Sequence, residues 1–307
     1  MKGLVVKNTG SWYQVKTDNG DLFECRMKGN LRLKEIRSTN PIAVGDLVEF
    51  MPNVDGSTMI SDVCERRNYI VRRSSNLSKQ SHILAANLDL VALIVTINYP
   101  KTSTVFIDRF LATAEAYRIA ACLVFNKTDL YSMDELNYLE ALENLYTNLN
   151  YPVFKISALK SDNMDDLLIF LKDKTTLMSG NSGVGKSTLI NVIAPHSMAK
   201  TAEISSYHNK GMHTTTFSEM FELKDGGRVI DTPGIKGFGT FDMQESEIGH
   251  YFKEIFHFSR QCKFSNCTHV HEPGCGVTKA LNDNFISSSR YQSYLSILDD
   301  INTGKYR

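Results

Sequence analysis

No charge of one sign dominates this chain, in which 34 Lys and Arg stand against 34 Asp and Glu over 307 residues. That balance excludes a globally basic nucleic-acid binder, although a local patch remains possible. Proline and glycine, at 7 and 19, are too few for a wholly disordered chain. No apolar run approaches the roughly 18 residues of a spanning helix. The first residues, Met1 to Lys7, pass straight into a strand-like pattern without an apolar leader core. The expectation is a cytoplasmic protein, monomeric and free of membrane. Its six cysteines are then reduced thiols or metal ligands, not disulfides. The length leaves room for two or three domains.

What the chain does have begins at Gly180-Asn181-Ser182-Gly183-Val184-Gly185-Lys186-Ser187-Thr188, a complete G-x-x-x-x-G-K-[ST] loop. An extended run, Thr175–Ser179, precedes it and a helical run, Ser187–Ile193, follows, which is the context such a loop needs. Glycines let successive backbone N–H groups turn toward phosphate oxygens, and the helix N-terminus adds partial positive charge. Lys186 would reach the outer phosphates, and the Ser187 hydroxyl would ligate Mg²⁺. The plain alternative is a Gly/Ser turn before a helix.

Asn126-Lys127-Thr128-Asp129, after the apolar run Ile119–Phe125, suggests which base is read. A buried Asp129 carboxylate accepts from guanine N1–H and the 2-amino group, donors that adenine lacks, and rejects a base that leaves it unpaired. Ser157-Ala158-Leu159 ends another strand-like run, Tyr151–Ile156, where a backbone contact to guanine is expected. Asp231-Thr232-Pro233-Gly234 follows Arg228–Ile230; Asp231 would hold Mg²⁺ through water and the Gly234 N–H would sense a γ-phosphate. Four motifs at strand ends fit the binding edge of a doubly wound α/β sheet. Their order, with the base-reading motifs ahead of the phosphate loop, predicts a circularly permuted P-loop GTPase domain. Ser161–Lys174 would join the ancestral termini, and the chain would open after Asp231–Gly234, so that the γ-phosphate sensor leads directly into the C-terminal part.

Residues 1–70 read as an OB-type β-barrel: short strands at Leu4–Val6, Trp12–Thr17, Leu22–Arg26, Leu47–Phe50 and Met59–Val63, with turns at Asp18–Asp21 and Asp55–Ser57. Arg26, Lys28, Arg32, Lys34 and Arg37 face one anion, Glu35. On a barrel edge they are expected to bind RNA phosphates, the alternative being a solvated loop. Arg66–Asn87 is polar and basic and reads as a connector. Leu88–Ile97 reads as a buried parallel strand. Packing helices are expected over Val105–Tyr117 and Met133–Leu149, the second through Leu136, Leu139, Leu142, Leu145 and Tyr146. The GTPase domain would span residues 71–240.

Between the phosphate loop and Asp231, Lys210-Gly211-Met212-His213-Thr214-Thr215-Thr216 occupies the place of a first switch, so Thr214, Thr215 or Thr216 should ligate Mg²⁺. The residue after Gly234 is Ile235, where many GTPases place a water-orienting Gln. His213 is the candidate to supply that function, beside Lys186 as the other catalytic candidate. Residues 241–307 form the C-terminal part, expected to be mainly helical. Cys262-x₄-Cys267-x-His269-x₅-Cys275 offers three thiolates and an imidazole for one structural Zn²⁺, with His271 as the rival imidazole. Cys25, Cys64 and Cys122 read as small core residues.

Together these features resemble the RsgA/YjeQ family of ribosome-assembly GTPases. The resemblance rests on Asn126–Asp129, Gly180–Thr188, Gly211–Thr216, Asp231–Gly234 and the Cys262/Cys267/His269/Cys275 spacing, and covers nearly the whole chain. Where this chain has Met212 the family usually has Arg. The resemblance implies a GTPase that binds the small ribosomal subunit and its rRNA late in maturation, hydrolysing GTP to GDP slowly until bound there. Two alternatives are a permuted GTPase of large-subunit assembly and a non-enzymatic RNA-binding module with structural nucleotide.

Overall fold

The computed structural model describes residues 1–28, 41–52, 57–73, 81–195, 218–232 and 243–303. Strands β1 (Lys2–Asn8), β2 (Tyr13–Lys16), β3 (Leu22–Met27), β4 (Leu47–Pro52) and β5 (Thr58–Val63) close on themselves in the order β1-β2-β3-β5-β4-β1. Only the β3–β5 pairing is parallel. Alternation explains the closure: Val5, Tyr13, Val15, Cys25, Val48, Phe50 and Ile60 point inward and fill the barrel. The Asp18–Asp21 hairpin turn is as expected, with Gly20 at φ +90°. Residues 53–56, which hold most of the second predicted turn, fall outside the described residues.

The stretch Arg66–Asn87 is not a bare connector. It carries β6 (Tyr69–Arg73) and β7 (Ser81–Ala86), an antiparallel pair that buries Ile70, Ile83, Leu84, Ala85 and Ala86. The polar and basic residues before and between the two short apolar runs mask this pair in the sequence. Arg66 meets the fully buried Asp46 through two 2.6 Å hydrogen bonds, clamping the bend before β4 to the hairpin.

The second layered unit is an open sheet in the order β10-β9-β8-β11-β13-β12, using β8 (Leu90–Val95), β9 (Ala120–Phe125), β10 (Val153–Lys155), β11 (Thr175–Gly180), β12 (Ser218–Glu222) and β13 (Arg228–Asp231). All but β12 run parallel. Successive residues of β8 divide between the faces. Val91, Leu93 and Val95 pack under α1 (Thr104–Ala116) and α2 (Met133–Asn148), whereas Leu90, Ala92 and Ile94 pack under α3 (Asp165–Leu171) and α4 (Lys186–Ile193). Leu136, expected in the core, is instead 39% exposed, while Leu139, Leu142 and Tyr146 are buried. Met133, in the same first turn of α2, is exposed too, so the buried stripe of α2 begins only at Leu139. β12 also hydrogen-bonds to β1, with Lys7 opposite Glu219, so barrel and open sheet are continuous.

C-terminal to these, a 3₁₀ segment Glu245–Tyr251 and helices α5 (Lys253–Ser259), α6 (Gly276–Asn282) and α7 (Ser288–Asn302) enclose a separate core of Ile248, Phe252, Ile255, Val277, Tyr294, Ile297 and Leu298. Its junction with α1 packs Ala112 and Ala116 into this core and also carries a buried ionic node. Arg290, 1% exposed, donates to Glu254 at 2.6 and 3.1 Å and to Asp108 at 2.7 Å, and Tyr146 donates to the same Asp108 oxygen at 2.9 Å. Burial opposes the Arg290 charge, but Asp108 and Glu254 outweigh it and hold the guanidinium above its ordinary pKa. Removing one partner of such a node strands the others without water. Arg290→Met is therefore expected to lower stability by about 3–5 kcal/mol, read from the urea midpoint by circular dichroism; an unchanged midpoint would show that the acids find other partners.

Candidate functional site

Strands β11, β9 and β13 all present their C-terminal ends on one edge, and each ends in a predicted motif. β11 runs into the glycine loop. Gly183 and Gly185 sit at φ +86° and +93°, a region costly for any residue with a Cβ. A Cβ on Gly180 would lie 2.5 Å from the Ile94 carbonyl oxygen, and one on Gly185 would lie 2.4 Å from Asn126 Nδ2. The loop is thus glycine-rich because neighbouring strands press against it. Val184 buries its side chain fully and anchors the loop, leaving Ser182, Gly183, Ser187 and Thr188 exposed, with Asn181 half-buried. Lys186 forms an ion pair with Asp231 and donates to the Thr232 carbonyl at 3.1 Å. That pairing places an ammonium where a cation would meet the Asp231 carboxylate.

The predicted base-reading residues converge on the same loop. Asn126 is buried and donates through Nδ2 to the Val184 carbonyl at 2.9 Å, while its Oδ1 accepts from the Ala158 N–H at 2.9 Å. Lys127 adopts φ +65° and its ammonium bridges the Gly183 and Tyr99 carbonyls, each at 2.6 Å. Thr128 opens a 3₁₀ turn through Leu130, and the Asp129 side chain, 6% exposed, accepts from the Ser157 hydroxyl at 2.6 Å. Its second oxygen has Lys160 Nζ at 3.9 Å. The arrangement can hold phosphates at the glycine loop and a base bearing two adjacent donors at Asp129. Gly234, His213, Thr214, Thr215 and Thr216 lie outside the described residues.

A second cluster lies in the C-terminal part. The donor atoms of Cys262, Cys267, His269 and Cys275 fall within 4.8 Å of one another. Cys262 Sγ and Cys275 Sγ are 3.8 Å apart, and each is 3.5 Å from His269 Nδ1. A tetrahedral ion about 2.3 Å from sulfur and about 2.05 Å from nitrogen needs edges of about 3.8 and 3.6 Å, so the donors fit such a metal ion. Backbone N–H groups of Gly276 and Thr278 point at Cys262 and Cys275 sulfur, at 3.3 and 3.4 Å. Burial lowers the His269 pKa, favouring the neutral, ligating imidazole. Glu272 accepts from the N–H groups of Thr268, Val270 and His271 and shapes the knuckle. His271 is exposed and outside the cluster, whose imidazole is that of His269.

Of the predicted RNA-contacting cations, Arg26 and Lys28 are exposed on and beside β3, while Arg32, Lys34 and Arg37 lie outside the described residues. Sequence reasoning misses Trp12. It precedes β2 instead of starting it, is 38% exposed, and has the Arg26 guanidinium 3.9 Å from its ring centroid. A signal is present, since it is the single Trp of the chain and adjoins a strand end in a small barrel. Cys25 and Cys122 are buried as expected, but Cys64 is half-exposed at the end of β5.

Known proteins share this combination. The chain matches the family model for the RsgA GTPase over residues 63–241 and that for the RsgA N-terminal domain over residues 2–60. A protein of Phocaeicola vulgatus named "Small ribosomal subunit biogenesis GTPase RsgA" is 66% identical over 307 residues, covering 100% of this chain and 99% of the relative. A relative of the same name in Porphyromonas gingivalis is 55% identical, with 100% and 99% covered. Among solved structures, YjeQ from Thermotoga maritima superposes with a TM-score of 0.78 at 36% identity, covering 97% of each chain. YloQ, described as a circularly permuted GTPase, gives 0.75 at 29% identity, covering 100% of this chain and 96% of its own.

Proposed function

The chain belongs to the RsgA family of GTPases, and on that premise we propose that it binds the small ribosomal subunit and hydrolyses GTP there to assist late maturation. The observation that carries the chemistry is the meeting of Asp129, Asn126 and the glycine loop on one sheet edge, with Lys186 and Asp231 beside them. In this reading Asp129 takes guanine N1–H and the 2-amino group, and the Ala158 backbone contacts the base. N–H groups of Gly180–Thr188 cradle the phosphates. Lys186 leaves Asp231 for the outer phosphates when nucleotide enters. Ser187, Asp231 and one of Thr214, Thr215 and Thr216 would hold Mg²⁺, which would supply charge neutralisation at the phosphates. Gly234 senses the γ-phosphate, and His213 orients the attacking water. The metal held by Cys262, Cys267, His269 and Cys275 is one structural Zn²⁺.

The barrel is the proposed rRNA contact, with bases stacking on Trp12 and phosphates meeting Arg26, Lys28, Arg32, Lys34 and Arg37. Neutralising Arg32 and Lys34 together is expected to reduce the log–log salt slope of subunit binding by about one unit for each phosphate left without its cation. Filter binding over a salt series checks this, and an unchanged slope would leave those two side chains in solvent. The whole reading is tested by co-sedimentation with separated ribosomal subunits. The chain should pellet with small subunits in a non-hydrolysable GTP analogue and largely leave them in GDP. Equal pelleting with large subunits, or none with either, would overturn it. No helix among the described residues is long and apolar enough to cross a membrane.

A further inference from the structure

The base-reading loop is braced by a side chain that none of its motifs includes. Tyr131, 9% exposed, donates its hydroxyl to the Asn126 carbonyl at 2.5 Å and accepts from the Ile97 N–H at 2.9 Å. Burial pushes the hydroxyl pKa up to about 12, so it carries its proton and donates at neutral pH. The Asn126 carbonyl belongs to the peptide linking Asn126 to Lys127, and Lys127 is the residue held at φ +65°. A lysine in that region is strained and persists only where its surroundings dictate it. Rotating that one peptide would relax Lys127 and carry Asp129, two residues on, away from its position.

Other contacts hold the same region from different sides. Asn126 N–H donates to the Val95 carbonyl, and the Asn126 amide spans the glycine loop and Ala158. None of these grips the carbonyl side of the Asn126–Lys127 peptide. Only Tyr131 does so among the hydrogen bonds seen in the described residues. Its second bond ties that peptide to Ile97, just beyond β8, and Asn98 in turn donates to Glu135 in the first turn of α2 at 2.9 Å.

We propose that Tyr131 is a positioning residue for guanine recognition, its hydroxyl locking the Asn126–Lys127 peptide so that both carboxylate oxygens of Asp129 face the base. The inference rests on the reading of Asp129 as the guanine contact. It assigns Tyr131 a role in base discrimination and none in phosphate binding or chemistry.

Tyr131→Phe keeps the ring in the core and deletes only the hydroxyl. Binding of GDP and IDP is compared, because hypoxanthine lacks the 2-amino group that the second carboxylate oxygen reads. The wild type should prefer GDP, and absence of any preference would sink the Asp129 reading itself. In Tyr131→Phe, GDP affinity should fall about tenfold and IDP affinity clearly less, so that the GDP-to-IDP ratio shrinks. Turnover at saturating GTP should remain near wild type, putting the loss in KM and not in kcat. Ser132→Ala weakens the adjacent α2 cap without touching the bridge and should leave the ratio intact. A wild-type ratio in Tyr131→Phe, or an equal loss of both nucleotides there, would overturn the proposal. So would an equal change of the ratio in Ser132→Ala, since that would trace the effect to general loosening.

Discussion

Replacing Cys267 with Ser is expected to unfold residues 243–303 while leaving nucleotide binding largely in place. The C-terminal core is small, and its proposed metal ligands sit in loops on either side of it: Cys262 follows α5, Cys267 and His269 occupy the knuckle, and Cys275 caps α6. Tyr291 and Tyr294 of α7 donate to the His269 and Thr268 carbonyls, both at 2.7 Å, so even the last helix is docked onto the knuckle. A structural zinc of this type contributes about 10–16 kcal/mol of apparent binding energy, which is folding energy when no site exists in the unfolded chain. Losing one thiolate forfeits much of that, and a core of this size has little to offset it. The glycine loop and Asp129 draw on other cores and should keep GDP affinity within a few-fold. Hydrogen exchange on Cys267→Ser, with metal content measured alongside, checks this. Wild-type protection of α6 and α7 in a metal-free protein would contradict it.

Asp129→Asn is expected to exchange one base for another. The carboxylate offers two acceptors, which suits the two donors of guanine. An amide offers one acceptor and one donor, which suits xanthine, with its N1–H and its carbonyl at position 2. GTP affinity should fall on the order of 10³–10⁵-fold, because a mismatched buried polar group is left unpaired. Xanthosine triphosphate should become the better ligand. The Ser157 hydroxyl at 2.6 Å from Asp129 can keep donating to the amide oxygen, so the side chain should hold its orientation. Displacement of a fluorescent nucleotide by both triphosphates measures the exchange. Unchanged preference for GTP would place the base elsewhere.

The barrel and the sheet are legible in the sequence because each strand declares itself locally. β2 and β4 alternate, and β8 is apolar throughout, as burial on both faces demands. Loop glycines and the Cys/His cluster are legible for a similar reason, since the chemistry fixes residue types at fixed spacing. What the sequence conceals depends on partners far away in the chain. The β6–β7 pair is short and lies in a polar, basic stretch, and its Ile70, Leu84 and Ala85 are buried only by joining the cluster of Val44 and β8. Arg290 looks like an ordinary surface residue of a helix until Asp108, 182 positions earlier, closes on it. Tyr131 looks like the end of a motif, and its role emerges only when Ile97 and Asn126 are brought to either side of its hydroxyl. The alternation of its neighbours puts Trp12 inside a strand, yet that strand starts one residue later.

The most direct test of the account is GTP turnover by the purified chain, alone and with separated ribosomal subunits. Ile235 cannot orient water, so the chain alone should hydrolyse slowly. Small subunits should raise the rate by at least about tenfold, a modest effect for a partner that completes a GTPase site. His213→Ala should remove most of that increase with GTP affinity and subunit binding preserved. Rapid turnover by the chain alone, or equal stimulation by large subunits, would contradict the account.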